Sequence, residues 1–263
     1  ALSAALAPHV GSDFFPTVDT GLMKLHVRAP PGTRIEETER LTLAVEDEIR
    51  RVVPHAELET VNDMIGVPIS YNLAFVQTDN VTGMDAEVLV ALKPGHRPTD
   101  TYVRALRRSL PRLFPGTTFY FQPADIVSQV INFGVPSPID VQVESRDLGV
   151  GLRYARRLER LMRGIPGIAD THLAQTVSYP ALQVDVDRTR AAEIGMSQRD
   201  VAQAMLIGLS GSALASPSYF VNPQNNVNYP VVVKVPMRQV GDVDALLATP
   251  IAPPSALLAP APT

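Results

Sequence analysis

The five histidines, His9, His26, His55, His96 and His172, lie far apart in the chain and form no HExxH or other close-spaced ligand pair, so none belongs to a local metal motif. Asp185-Val186-Asp187 alternates acidic side chains on one side of a candidate strand, which is the pattern of a wet face more than of a cation site. With no cysteine in 263 residues, a thiolate zinc site, a cysteine nucleophile and a disulfide scaffold are all excluded. No GxxxxGK[ST], GxGxxG or GxSxG is present, so neither a phosphate cradle nor a nucleophile elbow has support. Met23, Met64 and Met84 offer soft sulfur, but methionines this sparse ordinarily fill gaps in a core. No enzyme is visible, and neither a cofactor nor a metal is expected. The residues that stand out are aromatic. Phe119-Tyr120-Phe121 puts two phenylalanines on one strand face and a tyrosine on the other, with core packing as the competing role. The stretch 66–82, carrying Tyr71, Leu73 and Phe75, is long for a connection, and loops of that length are usually functional or disordered.

The elements that must position these residues repeat one phrase. Leu22–Val27 alternates as a strand, with Leu22, Lys24 and His26 on one side and Met23, Leu25 and Val27 on the other. Pro30, Pro31 and Gly32 turn the chain, Thr33 and Glu36 read as a capping box, and Ile35, Leu41, Val45, Ile49 and Val52 stripe a helix. Pro54 stops that helix, and Leu58–Met64 returns as a strand. A second unit runs from Asp85–Leu92 through a helix capped by Thr99, striped by Val103, Leu106, Leu110 and Leu113, and stopped at Pro115, to Thr118–Gln122. A third runs from Ile139–Glu144 through Leu148, Leu152, Ala155, Leu158 and Met162 to Ala169–Ala174. Two such units joined give βαββαβ, a split ferredoxin-like sandwich in the α+β class, with the helices on one sheet face. Residues 22–123 complete one sandwich and 139–174 make half of another. An insertion from Pro180 to about Ala248 follows, with a strand at Gln183–Asp187, short helices from Arg188 and Ser197, and a hairpin of Tyr219–Val221 and Tyr229–Val235.

A net charge of −4 argues against a nucleic-acid coat, and 45% hydrophobic with 19% charged residues is a globular composition. The arginines at 104, 107, 108 and 112, and at 153, 156, 157, 160 and 163, read as solvated helix faces, with adaptor or subunit contacts as the second reading and nucleic acid third. Ala1–Val10 reads either as the end of a membrane helix leading into an interfacial belt or as a short buried or frayed helix. The tail holds five of the 24 prolines in its last 14 residues and reads as linker or polyproline.

The phrases FFPTVDTG, RAPPGTRIEETE, LKPGHRPT, LFPGTTFYFQPADIVSQVINFG, PIDVQVESRD, IPGIADTHLAQ and YPALQVDVDRTRAAEIGMSQRDVAQAML, in this order over about residues 11–250, resemble the resistance-nodulation-division (RND) efflux permeases, in particular their hydrophobe/amphiphile branch. The resemblance implies a periplasmic segment of the permease's C-terminal half. Its parts would be the end of a transmembrane helix (1–16), a first porter subdomain (17–136), half of a second (137–179), a docking subdomain (180–248) and a Pro-rich tail (249–263). It implies a proton-driven multidrug exporter of the bacterial inner membrane, with this segment facing the periplasm and forming a homotrimer. The partners implied are a periplasmic adaptor (membrane fusion) protein and an outer-membrane channel, the substrates are small amphiphiles, and the proton-relay carboxylates belong to membrane helices outside this chain. Residues 65–82 match a gating loop, so the cleft candidates are Ile65, Val67, Tyr71, Phe75, Phe119, Phe121 and His26. The hairpin residues Tyr219, Phe220, Asn222, Asn225 and Asn226 are the candidate docking contacts. In the metal-exporting branch methionines line this cleft; His26 and Asp85 fall near such positions, beside Met84, so that pattern is not reproduced. The competing reading is a free-standing ferredoxin-like module binding a ligand or RNA, but the aromatic strand has no adjacent Lys or Arg.

Overall fold

A computed structural model describes residues 19–67, 78–125, 137–213, 215–236 and 241–251. The chain divides into two compact units, with the break between Ala181 and Leu182. No helix among the described residues is long and apolar enough to cross a membrane.

The first unit contains the expected sandwich. Strand β1 (Leu22–Arg28) leads through helix α1 (Ile35–Val52) to β2 (Leu58–Ile65), and β3 (Asp85–Leu92) leads through α2 (Thr99–Leu113) to β4 (Thr118–Gln122). The sheet order is β2-β3-β1-β4 with every pairing antiparallel, which is the ferredoxin-like arrangement. Strict alternation assigns the two sheet faces. Met23, Leu25 and Val27 of β1 and Ala86, Val88, Val90 and Leu92 of β3 meet Val45 and Ile49 of α1 and Tyr102, Leu106 and Leu110 of α2 in one core.

The helix faces differ from the apolar stripes. Ile35 is exposed, and Thr38 and Thr42 are buried in α1 beside Val45 and Ile49. Each threonine hydroxyl donates one turn back, to the carbonyls of Arg34 and Thr38, so burial strands no polar group. In α2 it is Tyr102 rather than Leu113 that is buried, and its hydroxyl donates to Glu57. Neither expected threonine cap forms. Thr33 donates its hydroxyl to the Pro30 carbonyl, leaving α1 with no side-chain cap. Thr99 is itself the first residue of α2, and its N–H donates at 2.8 Å to Asp19, a carboxylate 80 residues away in sequence.

Past residue 136 the expected strands are absent. Ile139–Glu144 and Ala169–Ala174 join no sheet among the described residues, because neither finds a neighbouring strand to complete a ladder. Helix α3 (Leu148–Met162) lies between them, capped by Asp147, which accepts from the Val150 N–H at 2.8 Å, and none of its residues is buried.

In the second unit Gln183–Asp187 is not a strand either. Asp187 instead caps α4 (Arg188–Glu193), accepting from Thr189 and Arg190. Helix α5 (Gln198–Ser210) opens with a complete Ser197/Asp200 capping box. Ala191, Met196 and Val201 make a small core with Val186, Met205 and Ile251. Strands β5 (Ser218–Val221) and β6 (Asn228–Val231) form the expected hairpin, exposed along both strands. Helix α6 (Val243–Leu247) follows.

Candidate functional site

The sheet face opposite the helices carries a row of charge. Lys24, His26 and Arg28 alternate with the core residues of β1, and antiparallel pairing sets Arg28 opposite Asp85 and His26 opposite both Glu87 and Tyr120. His26 and Asp85 are fully buried, and Glu87 and Tyr120 nearly so. His26 Nε2 lies 3.2 Å from Asp85 Oδ1, and Arg28 Nε donates to the same oxygen at 2.6 Å. Asp85 Oδ2 accepts the backbone N–H groups of Val81 and Thr82. Glu87 Oε1 accepts from the Asp79 N–H at 3.1 Å and pairs with Lys24 Nζ at 3.3 Å. His26 Nδ1 lies 4.0 Å from that oxygen and has no hydrogen-bond partner among the described residues.

Two carboxylates therefore anchor the end of the long connection between β2 and β3. Asn80 anchors it a third time, donating from Nδ2 to the carbonyls of Met64 and Gly66. Whatever shifts the row must also shift the root of this loop.

Burial by itself would raise the pKa of Asp85, but the hydrogen bonds from His26, Arg28 and the Val81 N–H outweigh it and hold the carboxyl well below the usual range. The same contest, with His26, the Asp79 N–H and Lys24 on the winning side, lowers Glu87. Burial raises the Tyr120 phenol far above its ordinary value, so it stays neutral. A carboxylate whose pKa is lower folded than unfolded contributes stability above its unfolded value, and that stability is lost as pH falls through the folded one. The contribution of these carboxylates is therefore expected to stay whole down to about pH 5 and to weaken steadily below about pH 4, where unfolded Asp and Glu take up protons. Urea midpoints measured from pH 7 to pH 2 check this; a flat profile would mean that the row does not stabilise the fold.

A second layer reaches the row from residues 170–174. Tyr120 is sandwiched between His26, with centroids 4.4 Å apart, and His172, at 3.6 Å. Arg28 Nη1 donates to the carbonyls of Leu173 and Ala174. Asp170 takes a bidentate contact from Arg107 of α2 at 2.8–2.9 Å and accepts the Phe121 N–H at the outer edge of β4.

The profile of the AcrB/AcrD/AcrF family matches residues 1–260. The chain belongs to this family, that of the RND permeases. Two curated relatives, the cation efflux system protein CzcA of Alcaligenes sp. and the cobalt-zinc-cadmium resistance protein CzcA of Cupriavidus metallidurans, are each 26% identical over 257 residues, 95% of this chain. The chain spans only 23% of the length of either relative. A crystal structure of a heavy metal efflux pump superposes with a TM-score of 0.66 at 26% identity, over 92% of this chain and 24% of that one. RND membership agrees with the sequence motifs, but the branch does not: these relatives are named for cations, not for amphiphiles.

Within this RND segment the cleft candidates do not share a surface. Ile65, Phe119 and Phe121 pack against the core on the helix side, with the Phe119 ring 6.1 Å from Phe114 and the Arg107 guanidinium 5.3 Å from the Phe121 ring centre. His26 is on the opposite face, and Val67 is exposed just past β2. Tyr71 and Phe75 lie outside the described residues. On the hairpin, Tyr219 and Phe220 are exposed, whereas the asparagines build the turn. Asn222 Oδ1 accepts from the Gln224 N–H, Asn225 Oδ1 accepts from the Val227 N–H, and Asn226 takes a positive φ of 58°. Arg28, Glu87, Tyr120, Asp170 and His172 were not legible as site residues. The signal for the first two was present: charge alternating on β1 and β3, which the βαββαβ order makes neighbours.

Proposed function

We propose that the chain is the porter and docking part of a proton-driven RND exporter of divalent transition-metal cations. The reading is carried by the buried His26–Asp85 pair at the centre of the polar row, 3.2 Å apart. Imidazole nitrogen and carboxylate oxygen suit borderline divalent cations, whereas an amphiphile cleft needs apolar and aromatic area. Met23 packs in the core on the opposite face, whereas Met64 of β2 pairs with Glu87 and sets a half-buried thioether beside the row. Among the described residues no group of three or more His, Asp or Glu is arranged to hold a metal ion. In this conformation Arg28 occupies the cation's position, 2.6 Å from Asp85 Oδ1, so loading requires Arg28 to withdraw. The names of the metal-exporting relatives support the same cargo.

On this reading the permease is a homotrimer in the inner membrane, with this segment in the periplasm, the β5–β6 hairpin at a subunit or docking contact, and an adaptor and outer-membrane channel as partners. The test is a full-length permease in an efflux-deficient host, challenged with zinc, cobalt, nickel and cadmium salts and with a panel of amphiphiles. Metal tolerance is expected to rise. His26→Ala is expected to abolish the gain at unchanged membrane abundance, since losing even a supporting partner of a metal ligand weakens affinity by about 10–100-fold. Protection against amphiphiles alone would return the chain to the multidrug branch.

A further inference from the structure

Strand β4 is the outer strand of the sheet, and an open edge normally has to be paired or covered. Here the cover is not a strand. Residues 170–174 wrap the edge through three kinds of contact: the Asp170 carboxylate on the Phe121 N–H and on Arg107, the His172 ring on Tyr120, and two backbone carbonyls on Arg28. Asp170 makes its contact from a left-handed backbone, φ 57°, which a non-glycine residue adopts at a cost that surrounding contacts must offset. The helix preceding this segment, α3, has no fully buried residue.

One of those contacts is sensitive to charge. His172 Nδ1 lies 2.9 Å from the Asp170 carbonyl, so a neutral ring donating from Nδ1 satisfies the geometry. The ring is faced by Arg28 and His26 of β1, by Tyr120 of β4 and by Asp79 of the connection before β3; Asp85 and Glu87 of β3 lie behind them, and Arg107 of α2 is held by Asp170. Burial first, then the positive charge of Arg28, disfavours imidazolium and lowers the pKa of His172 from its ordinary value, while the Asp170 carbonyl and Asp79 oppose that. A histidine with a lowered folded pKa contributes stability above its unfolded value near 6.5, and that stability is lost as pH falls.

We infer that residues 170–174 are a releasable cover over the β4 edge, fastened by Asp170 and freed when His172 takes up a proton. Release uncovers the Tyr120 ring and the Phe121 N–H, and frees Arg28 from the Leu173 and Ala174 carbonyls. This inference does not depend on what the permease carries.

Hydrogen–deuterium exchange of the full-length permease tests it at pH 7.5 and pH 5.5, corrected for intrinsic exchange, on the peptides carrying the Phe121 amide and residues 169–175. The wild type is expected to lose protection at these peptides at pH 5.5 relative to pH 7.5, while the β1 and β3 ladder amides hold. His172→Gln, which cannot take up the proton, is expected to abolish the pH response. Asp170→Asn, which weakens the fastening, is expected to raise exchange at both pH values. A wild type with no response, a His172→Gln variant that keeps it, or an equal loss across β1 and β3 would each overturn the inference.

Discussion

Replacing Asp85 with alanine is expected to destabilise the first sandwich by about 3–5 kcal/mol, the range for removing one partner of a buried ion pair. The reason is what the carboxylate leaves behind. Its Oδ1 accepts from Arg28 and contacts His26, and its Oδ2 accepts from Val81 and Thr82. Alanine strands a guanidinium, an imidazole and two backbone donors in a place where Asp85 itself has no solvent contact, and each unsatisfied group carries a desolvation cost. Asp85→Asn keeps the shape and the acceptor oxygen while removing the charge, so it should fall between wild type and alanine. Urea unfolding at pH 7 separates the three. If Asp85→Ala unfolds within about 1 kcal/mol of wild type, the value of an exposed pair, then water reaches the row freely.

The second large effect lies on the other sheet face. Leu106→Ala should cost about 2–5 kcal/mol, because Leu106 is fully buried between α2 and the sheet and its removal opens a cavity that rigid neighbours cannot fill. Leu113 is on the same helix and was expected on the same stripe, yet it is 53% exposed. Leu113→Ala should stay within about 0.5 kcal/mol, the range for a surface change. Unfolding both variants under one set of conditions checks the helix orientation directly. Equal costs would mean that α2 is rotated about its axis from the placement described.

The two substitutions also show how far periodicity reaches. Hydrophobic spacing locates α2 and its stops, but a stripe drawn from apolar residues alone passes over Tyr102, whose polar end is satisfied by Glu57, and includes Leu113. In α1 the same bias favours Ile35 over Thr38 and Thr42, because a hydroxyl's back-bond to its own helix cannot be read from the residue type. Phe119 and Phe121 share a face, as their spacing requires; that this face is the core side depends on where α1 and α2 pack.

The sequence by itself determined the βαββαβ order, the proline stops, the Ser197 capping box, the hairpin and the RND family. These depend on local spacing, turn chemistry and the order of motifs, all carried by neighbouring residues. Only the tertiary structure decided that 139–144 and 169–174 join no sheet among the described residues, that Asp19 caps α2, and that Lys24, His26, Arg28, Asp85 and Glu87 make one row with His26, Asp85 and Glu87 buried in it. The helix cap and the row bring together groups dozens of residues apart, and Asp170 likewise reaches Arg107 and the Phe121 N–H from 63 and 49 residues away. A strand needs a partner and a buried charge needs a counter-charge, and neither requirement can be read from the segment that carries it.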